Sequence, residues 1–203
     1  MSNIINGKAV VILIDNSPSS IDSDFDPNRL TAQKIAIERL ATYLFSLSSY
    51  TQIALVSMSS DEFGIRSSFT TTSNKISSVL QNINSSPNIC QNLKSFNYNN
   101  TNSKTNDIIF ECNNQILLEK ALKTALGMID HFHYSSSDLF DQDSSKETIT
   151  STDVSSLNSV PHIEKHIVVF VCSPHDIDCE QKVENIKKLS NIKDGTISII
   201  ALG

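Results

Sequence analysis

A carboxylate followed at two-residue spacing by two hydroxyls, Asp15-x-Ser17-x-Ser19, is the first place in this chain where chemistry could happen. Three hard oxygen donors on one tight loop suit Mg²⁺ or Mn²⁺, which select oxygen over sulfur. The same residues have a plainer use. Asp15 can accept hydrogen bonds from Ser17, Ser19 and nearby amides, shaping the loop without holding an ion. A second candidate is Cys172, with His175 three residues on. A cysteine phosphatase loop needs an Arg and backbone-exposing Gly close behind the thiol, and Val171-Cys172-Ser173-Pro174-His175-Asp176-Ile177-Asp178 contains neither. The other cysteines, Cys90, Cys112 and Cys179, form no C-x-x-C pair with it, so a zinc site shared with His131, His133 or His175 has no ligand spacing behind it. No Gly-x-Gly-x-x-Gly, Walker loop or Gly-x-Ser-x-Gly occurs. The expectation is a chain that is not an enzyme.

Composition narrows the classes further. The 203 residues carry a net charge of −6 and only three arginines, Arg29, Arg39 and Arg66. That balance lacks the basic patch a phosphate backbone demands, which argues against nucleic acid as a partner. No apolar run approaches the ~18 residues of a membrane span, and the first eight residues do not read as a secretory signal. With no export signal, the thiols are expected to be reduced. The chain has 32 serines and 19 asparagines, and they concentrate in two tracts, at about 84–108 and 134–160. Such tracts read as polar insertions, exposed and protease-sensitive, within a single domain spanning 1–203.

The elements that must position Asp15 and Cys172 are legible around those tracts. Lys8-Ala9-Val10-Val11-Ile12-Leu13-Ile14 is a nearly continuous apolar run ending abruptly at Asp15, the pattern of a strand buried on both faces. Asp26-Pro27-Asn28 signals a turn and a helix start, and Leu30, Ile37, Leu40, Ala41 and Leu44 recur at helical spacing to about Ser46. Gln52–Met58 and Phe63–Phe69 read as a strand pair joined by a hairpin. Further helices are expected from Thr72 to Ile83, from Asn113 to Ile129 and from Asp178 to Leu189, with strands at 166–171 and 196–201. Strands alternating with helices give an α/β fold, a doubly wound and mostly parallel sheet with one antiparallel edge strand and helices on both faces. Asp15 and Cys172 then both fall at carboxyl ends of strands, where such sheets bind ligands.

The strand, the Asp-x-Ser-x-Ser loop, the following helix and the hairpin around Val56-Ser57-Met58-Ser59-Ser60-Asp61 together resemble a von Willebrand factor A domain, a Rossmann-like fold, over the whole chain apart from the two tracts. Asp15-Asn16-Ser17, Asp24-Phe25, Pro27, Arg29-Leu30, Ala32-Gln33 and Phe170-Val171-Cys172-Ser173-Pro174 are similar to the ubiquitin-receptor subunit family of the proteasome regulatory particle. Pro27-Asn28-Arg29-Leu30-Thr31 also resembles the von Willebrand A subunit of the transcription and repair factor TFIIH, which stands as the alternative.

In metal-binding members of the wider family a second loop supplies a Thr and a third an Asp. Here Gln115 or Ile116 stands where the Thr belongs, and Cys172-Ser173 where the Asp belongs. The resemblance therefore implies a degenerate metal site at Asp15, Ser17 and Ser19 and no cofactor, with Mg²⁺ or Mn²⁺ the ion of a surviving, ligand-binding version. It further implies a docking role for the loop Asp15-Asn16-Ser17, partners among the proteasome lid and base subunits including the de-ubiquitinating subunit, and a place in cytoplasm and nucleus. Ubiquitin binding would belong to a C-terminal region absent from this sequence. Leu118-Glu119-Lys120-Ala121-Leu122-Lys123-Thr124-Ala125 imitates a ubiquitin-interacting helix, but it lacks the acidic run before and the Ser after, and its apolar stripe is needed by the sheet.

Overall fold

The computed structural model describes residues 6–85, 117–132, 162–172 and 195–202. They form, in chain order, β1 (Asn6–Ile14), a 3₁₀ turn (Pro18–Ile21), α1 (Arg29–Leu47), β2 (Gln52–Ser57), β3 (Gly64–Thr70), α2 (Ser73–Asn82), α3 (Leu118–Asp130), β4 (His162–Val171) and β5 (Gly195–Ala201). The sheet order is β3-β2-β1-β4-β5. β1 pairs in parallel with β2 and β4, β5 pairs in parallel with β4, and β3 is the antiparallel edge strand on β2. This is the doubly wound α/β arrangement, with β1 at its centre.

Centrality explains why β1 reads as an unbroken apolar run. Each of Ala9 to Ile14 is at most 1% exposed. Val10, Ile12 and Ile14 face Leu30, Ile37 and Ala41 of α1 and Ile76 and Leu80 of α2. Val11 and Leu13 face Ala121, Leu122, Ala125 and Ile129 of α3. Helices thus cover both faces, and the stripe that imitates a ubiquitin-interacting helix is core. Asn28 caps α1, its side-chain oxygen accepting from the Thr31 amide at 2.8 Å.

β4 begins four residues earlier than its apolar run suggested. Its polar first half, His162 to Lys165, is held by pairing with the start of β1 (Asn6↔His162 through Ala9↔Lys165), which hydropathy does not report. The first polar tract from 86 onward, the start of the 113–129 helix, the tract at 134–160, His133, His175 and the 178–189 helix lie outside the described residues. Among the described residues no helix is long and apolar enough to cross a membrane.

Candidate functional site

The carboxyl ends of β1 and β4 are neighbours, so Asp15 and Cys172, 157 positions apart, meet. Asp15 is fully buried. Its Oδ2 accepts from the Cys172 backbone amide at 2.7 Å and its Oδ1 from the Ser17 amide at 2.9 Å. One carboxylate therefore turns the loop and ties it to the end of β4, as charge-assisted hydrogen bonds to backbone amides do.

Gln33 of α1 closes the arrangement. It is fully buried; its Oε1 accepts from the Asp15 amide at 3.0 Å, and its Nε2 donates to the Asp15 carbonyl at 2.9 Å and to Cys172 Sγ at 2.8 Å. The sequence carried a signal for this role: Gln33 interrupts the stripe Leu30, Ile37, Ala41 that α1 turns toward the sheet. A polar residue on an apolar stripe must find partners inside.

Asn16 does comparable work on the other side. Its Oδ1 accepts from the Ser59 amide at 2.9 Å and its Nδ2 donates to the Asn84 carbonyl at 3.3 Å, joining the loop to the β2–β3 turn and the end of α2. Ser17 is 1% exposed, and Ser19 is half-buried in the 3₁₀ turn. Ser20 Oγ is buried without a hydrogen-bond partner among the described residues. Arg29, at the start of α1, adds an outer stitch. It makes a bidentate pair with Asp24, with Nε to Oδ1 at 2.7 Å, and its Nη1 donates to the Cys172 carbonyl. That pairing holds the Asp24 carboxyl below its usual range.

Burial, reinforced by the charge of Asp15, pushes the Cys172 thiol up to about 12. A nucleophilic cysteine needs the opposite, a lowered pKa in an electropositive and partly open setting.

Residues 10–109 match the sequence model of the von Willebrand factor type A domain, a span that contains the Asp15 loop, α1 and the hairpin. The chain has the α/β fold of a von Willebrand factor A domain. No curated protein matches it by sequence. Among solved structures, the SpRpn10 VWA domain superposes with a TM-score of 0.60 at 18% identity, covering 97% of this chain and 75% of that one. The N-terminal domain of TFIIH p34 gives 0.54 at 11% identity, covering 100% and 83%. An aerotolerance-related membrane protein from Bacteroides fragilis gives 0.51 at 14%, covering 97% and 68%. At these identities the likeness is one of fold.

In this von Willebrand A fold the loop that could hold a cation is Asp15, Ser17 and Ser19, and its donors do not fit one well. Both carboxylate oxygens of Asp15 already receive backbone amides, and the β4 end offers a protonated thiol where a hard ion needs anionic oxygen. Among the described residues no group of three or more His, Cys, Asp or Glu could hold a metal ion. Gln115 and Ile116, at the second-loop position, lie outside the described residues; Leu117 just after them anchors α3, its amide donating to the Met58 carbonyl at 2.9 Å.

Proposed function

We propose that the chain is a non-catalytic protein-docking domain, and that its assembly is the proteasome regulatory particle, where it docks a ubiquitin receptor and helps hold lid to base, in cytoplasm and nucleus. The observation that carries the docking reading is the closed network of Asp15, Gln33 and Cys172. It consumes the only carboxylate of the Asp-x-Ser-x-Ser loop in holding three elements together. A loop built that way is a rigid platform, and rigidity before contact lowers the ordering cost of association. The choice of assembly is supported by the residues shared with the proteasome ubiquitin-receptor family and by the likeness of fold to SpRpn10.

Asp15, Asn16 and Ser17 are at most 1% exposed, so in this reading they shape the docking loop and their neighbours touch the partner. Ile21 and Phe25 are 46% and 38% exposed, with Asp22 and Asp26 exposed beside them. Tagged chain is captured from cells of the source organism and its companions identified by mass spectrometry. Lid subunits and the de-ubiquitinase are expected. Helicase and repair subunits would instead place it with TFIIH, whose p34 domain shares the fold. In the same reading no divalent cation is required. Calorimetric titration with Mg²⁺ or Mn²⁺ is expected to give the same trace for the chain and for Asp15→Asn; a binding isotherm lost in Asp15→Asn would make this a metal-dependent ligand-binding domain.

A further inference from the structure

The loop between the 3₁₀ turn and α1 is anchored on its inner side and open on its outer one. Asp22 to Pro27 belong to no helix or strand, and all are exposed. The Asp22 carbonyl accepts from the Arg29 amide at 3.2 Å, and the Asp24 carboxylate is gripped by the Arg29 guanidinium. Ser23 stands between these two anchors, and neither of them uses its hydroxyl.

In Asp22-Ser23-Asp24-Phe25-Asp26 the hydroxyl has a carboxylate on each side and a third carboxylate three residues on. Acids at the first and third positions after a serine suit a kinase whose peptide groove is lined with Lys and Arg, because complementary charge steers and orients the segment. Among the described residues other serines fall short. Ser19 has Asp22 three residues on but is half-buried in the 3₁₀ turn, Ser59 precedes Asp61 and Glu62 but is 1% exposed, and Ser60 has Phe63 at the third position. We propose that Ser23 is a phosphorylation site for an acidophilic serine kinase, and that its phosphate takes the Arg29 guanidinium from Asp24 and so unfastens the loop.

In the transfer the kinase's base takes the Ser23 proton, Oγ bonds to the γ-phosphorus of ATP, and the bond from that phosphorus to its bridging oxygen breaks to leave ADP. The phosphate carries about −1.5 to −2 charge near neutral pH and three strong acceptor oxygens, so it competes with a single carboxylate for the guanidinium fork. Asp24, once released, joins Asp22 and Asp26 in repelling the phosphate and one another. The consequence for docking rests on the function proposed above: Ile21 and Phe25 lose the fixed spacing that Arg29 gives them, and the partner is released.

The full chain is incubated with ATP and a kinase of the casein kinase II type, and its phosphates are mapped by mass spectrometry. Phosphate at Ser23 is expected, with the rate at that site cut about tenfold or more in Asp26→Asn, which leaves the Arg29 pair untouched. No phosphate at Ser23, or labelling indifferent to Asp26→Asn, would overturn the site. Phosphorus NMR then follows the resonance that Ser23→Ala lacks. Pairing with Arg29 is expected to hold its second pKa below the ordinary value of about 6, and Arg29→Ala, with its fold checked by circular dichroism, to raise it. A titration unmoved by Arg29→Ala would overturn the switch. Capture from lysate separates the two readings. The phosphorylated chain is expected to recover about tenfold less of the lid subunits than Ser23→Ala does, and equal recovery would overturn the switch. If neither form recovered them while Ser23 was labelled and paired with Arg29, the site and its switch would stand and the docking reading alone would fall.

Discussion

Replacing Gln33 by Ala removes three interactions at once: the acceptor of the Asp15 amide, the donor to the Asp15 carbonyl and the donor to the Cys172 sulfur. The amide and carbonyl left behind are buried, and each unsatisfied group of that kind costs about 1–3 kcal/mol. Gln33→Ala is expected to lower stability by about 2–4 kcal/mol, read as a reduced midpoint in urea with an unchanged slope. Cys172 gives a second test at this scale. Its folded-state pKa is raised from 9.0 to about 12, so the native state retains a proton that the unfolded state releases. The resulting stabilisation is complete below pH 9 and is lost as pH rises toward 12. Near neutral pH the thiol should resist iodoacetamide in native protein and react once urea unfolds it, with peptide mapping following Cys172 alone; rapid native labelling would contradict its burial. Asp15 stood out in the sequence as a carboxylate ending an apolar run. Cys172 stood out beside it as a thiol at a strand end, and Gln33 as a polar break in an apolar stripe, but the bonds that join the three did not, because those of Cys172 span 139 to 157 residues and depend on two strands lying side by side.

At the scale of elements, strength of pattern decided what could be read. β1 and α3 are covered by packing partners, and their hydrophobic patterns announce them; Leu118, Ala121, Leu122, Ala125 and Ile129 sit on one face of α3 and all are buried. The first half of β4 could not be read, since His162-Ile163-Glu164-Lys165 owes its strand to the ladder with β1. Gly7 belongs to that same ladder and explains itself only in three dimensions. A Cβ there would lie 2.7 Å from the Ile163 side chain and 2.7 Å from both Cβ and the carbonyl oxygen of Tyr50. The oxygen belongs to the backbone, so relief would require moving β1 against the turn before β2. Gly7→Ala is therefore expected to destabilise by about 1–3 kcal/mol, the usual cost of overpacking a filled site. Gly64→Ala makes a control, because nothing lies within 4 Å of its added Cβ. Equal thermal midpoints for the two variants would show that the approach at Gly7 relaxes freely.

For the molecule as a whole, the proposed docking role requires the closed internal network to fix the surface above it. The loop from Ile21 to Asp26 hangs from the network at several points. The Asp22 amide donates to the Ser19 carbonyl, the Asp22 carbonyl accepts from the Arg29 amide, and Asp24 is gripped by the Arg29 guanidinium, which also reaches the Cys172 carbonyl. Held this way, Ile21 and Phe25 are presented in a fixed spacing with Asp22 and Asp26 at their side, which suits a partner with an apolar pocket rimmed by Lys or Arg. Apolar anchors carry most of the affinity of such contacts, and flanking charges mainly set approach and orientation. The double variant Ile21→Ser/Phe25→Ser should cut recovery of lid subunits by about tenfold or more while leaving the thermal midpoint unchanged, since both side chains are exposed. Tyr43→Ser, at a 60% exposed position on the outer side of α1, should recover them as the unsubstituted chain does. Arg29→Ala separates presentation from contact. It removes no exposed anchor, yet it frees the loop from Cys172 and Asp24, so it should weaken capture while Ile21 and Phe25 remain. Acid should act in the same direction. The Asp24 carboxyl is held low by its hydrogen bonds to Arg29, so its contribution to fixing the loop is present above the ordinary carboxylate range and disappears as pH falls through the lowered value. If Arg29→Ala captured lid subunits as well as the unsubstituted chain does, the loop would be docking without help from the network, and the link from Asp15 to the surface would have to be abandoned.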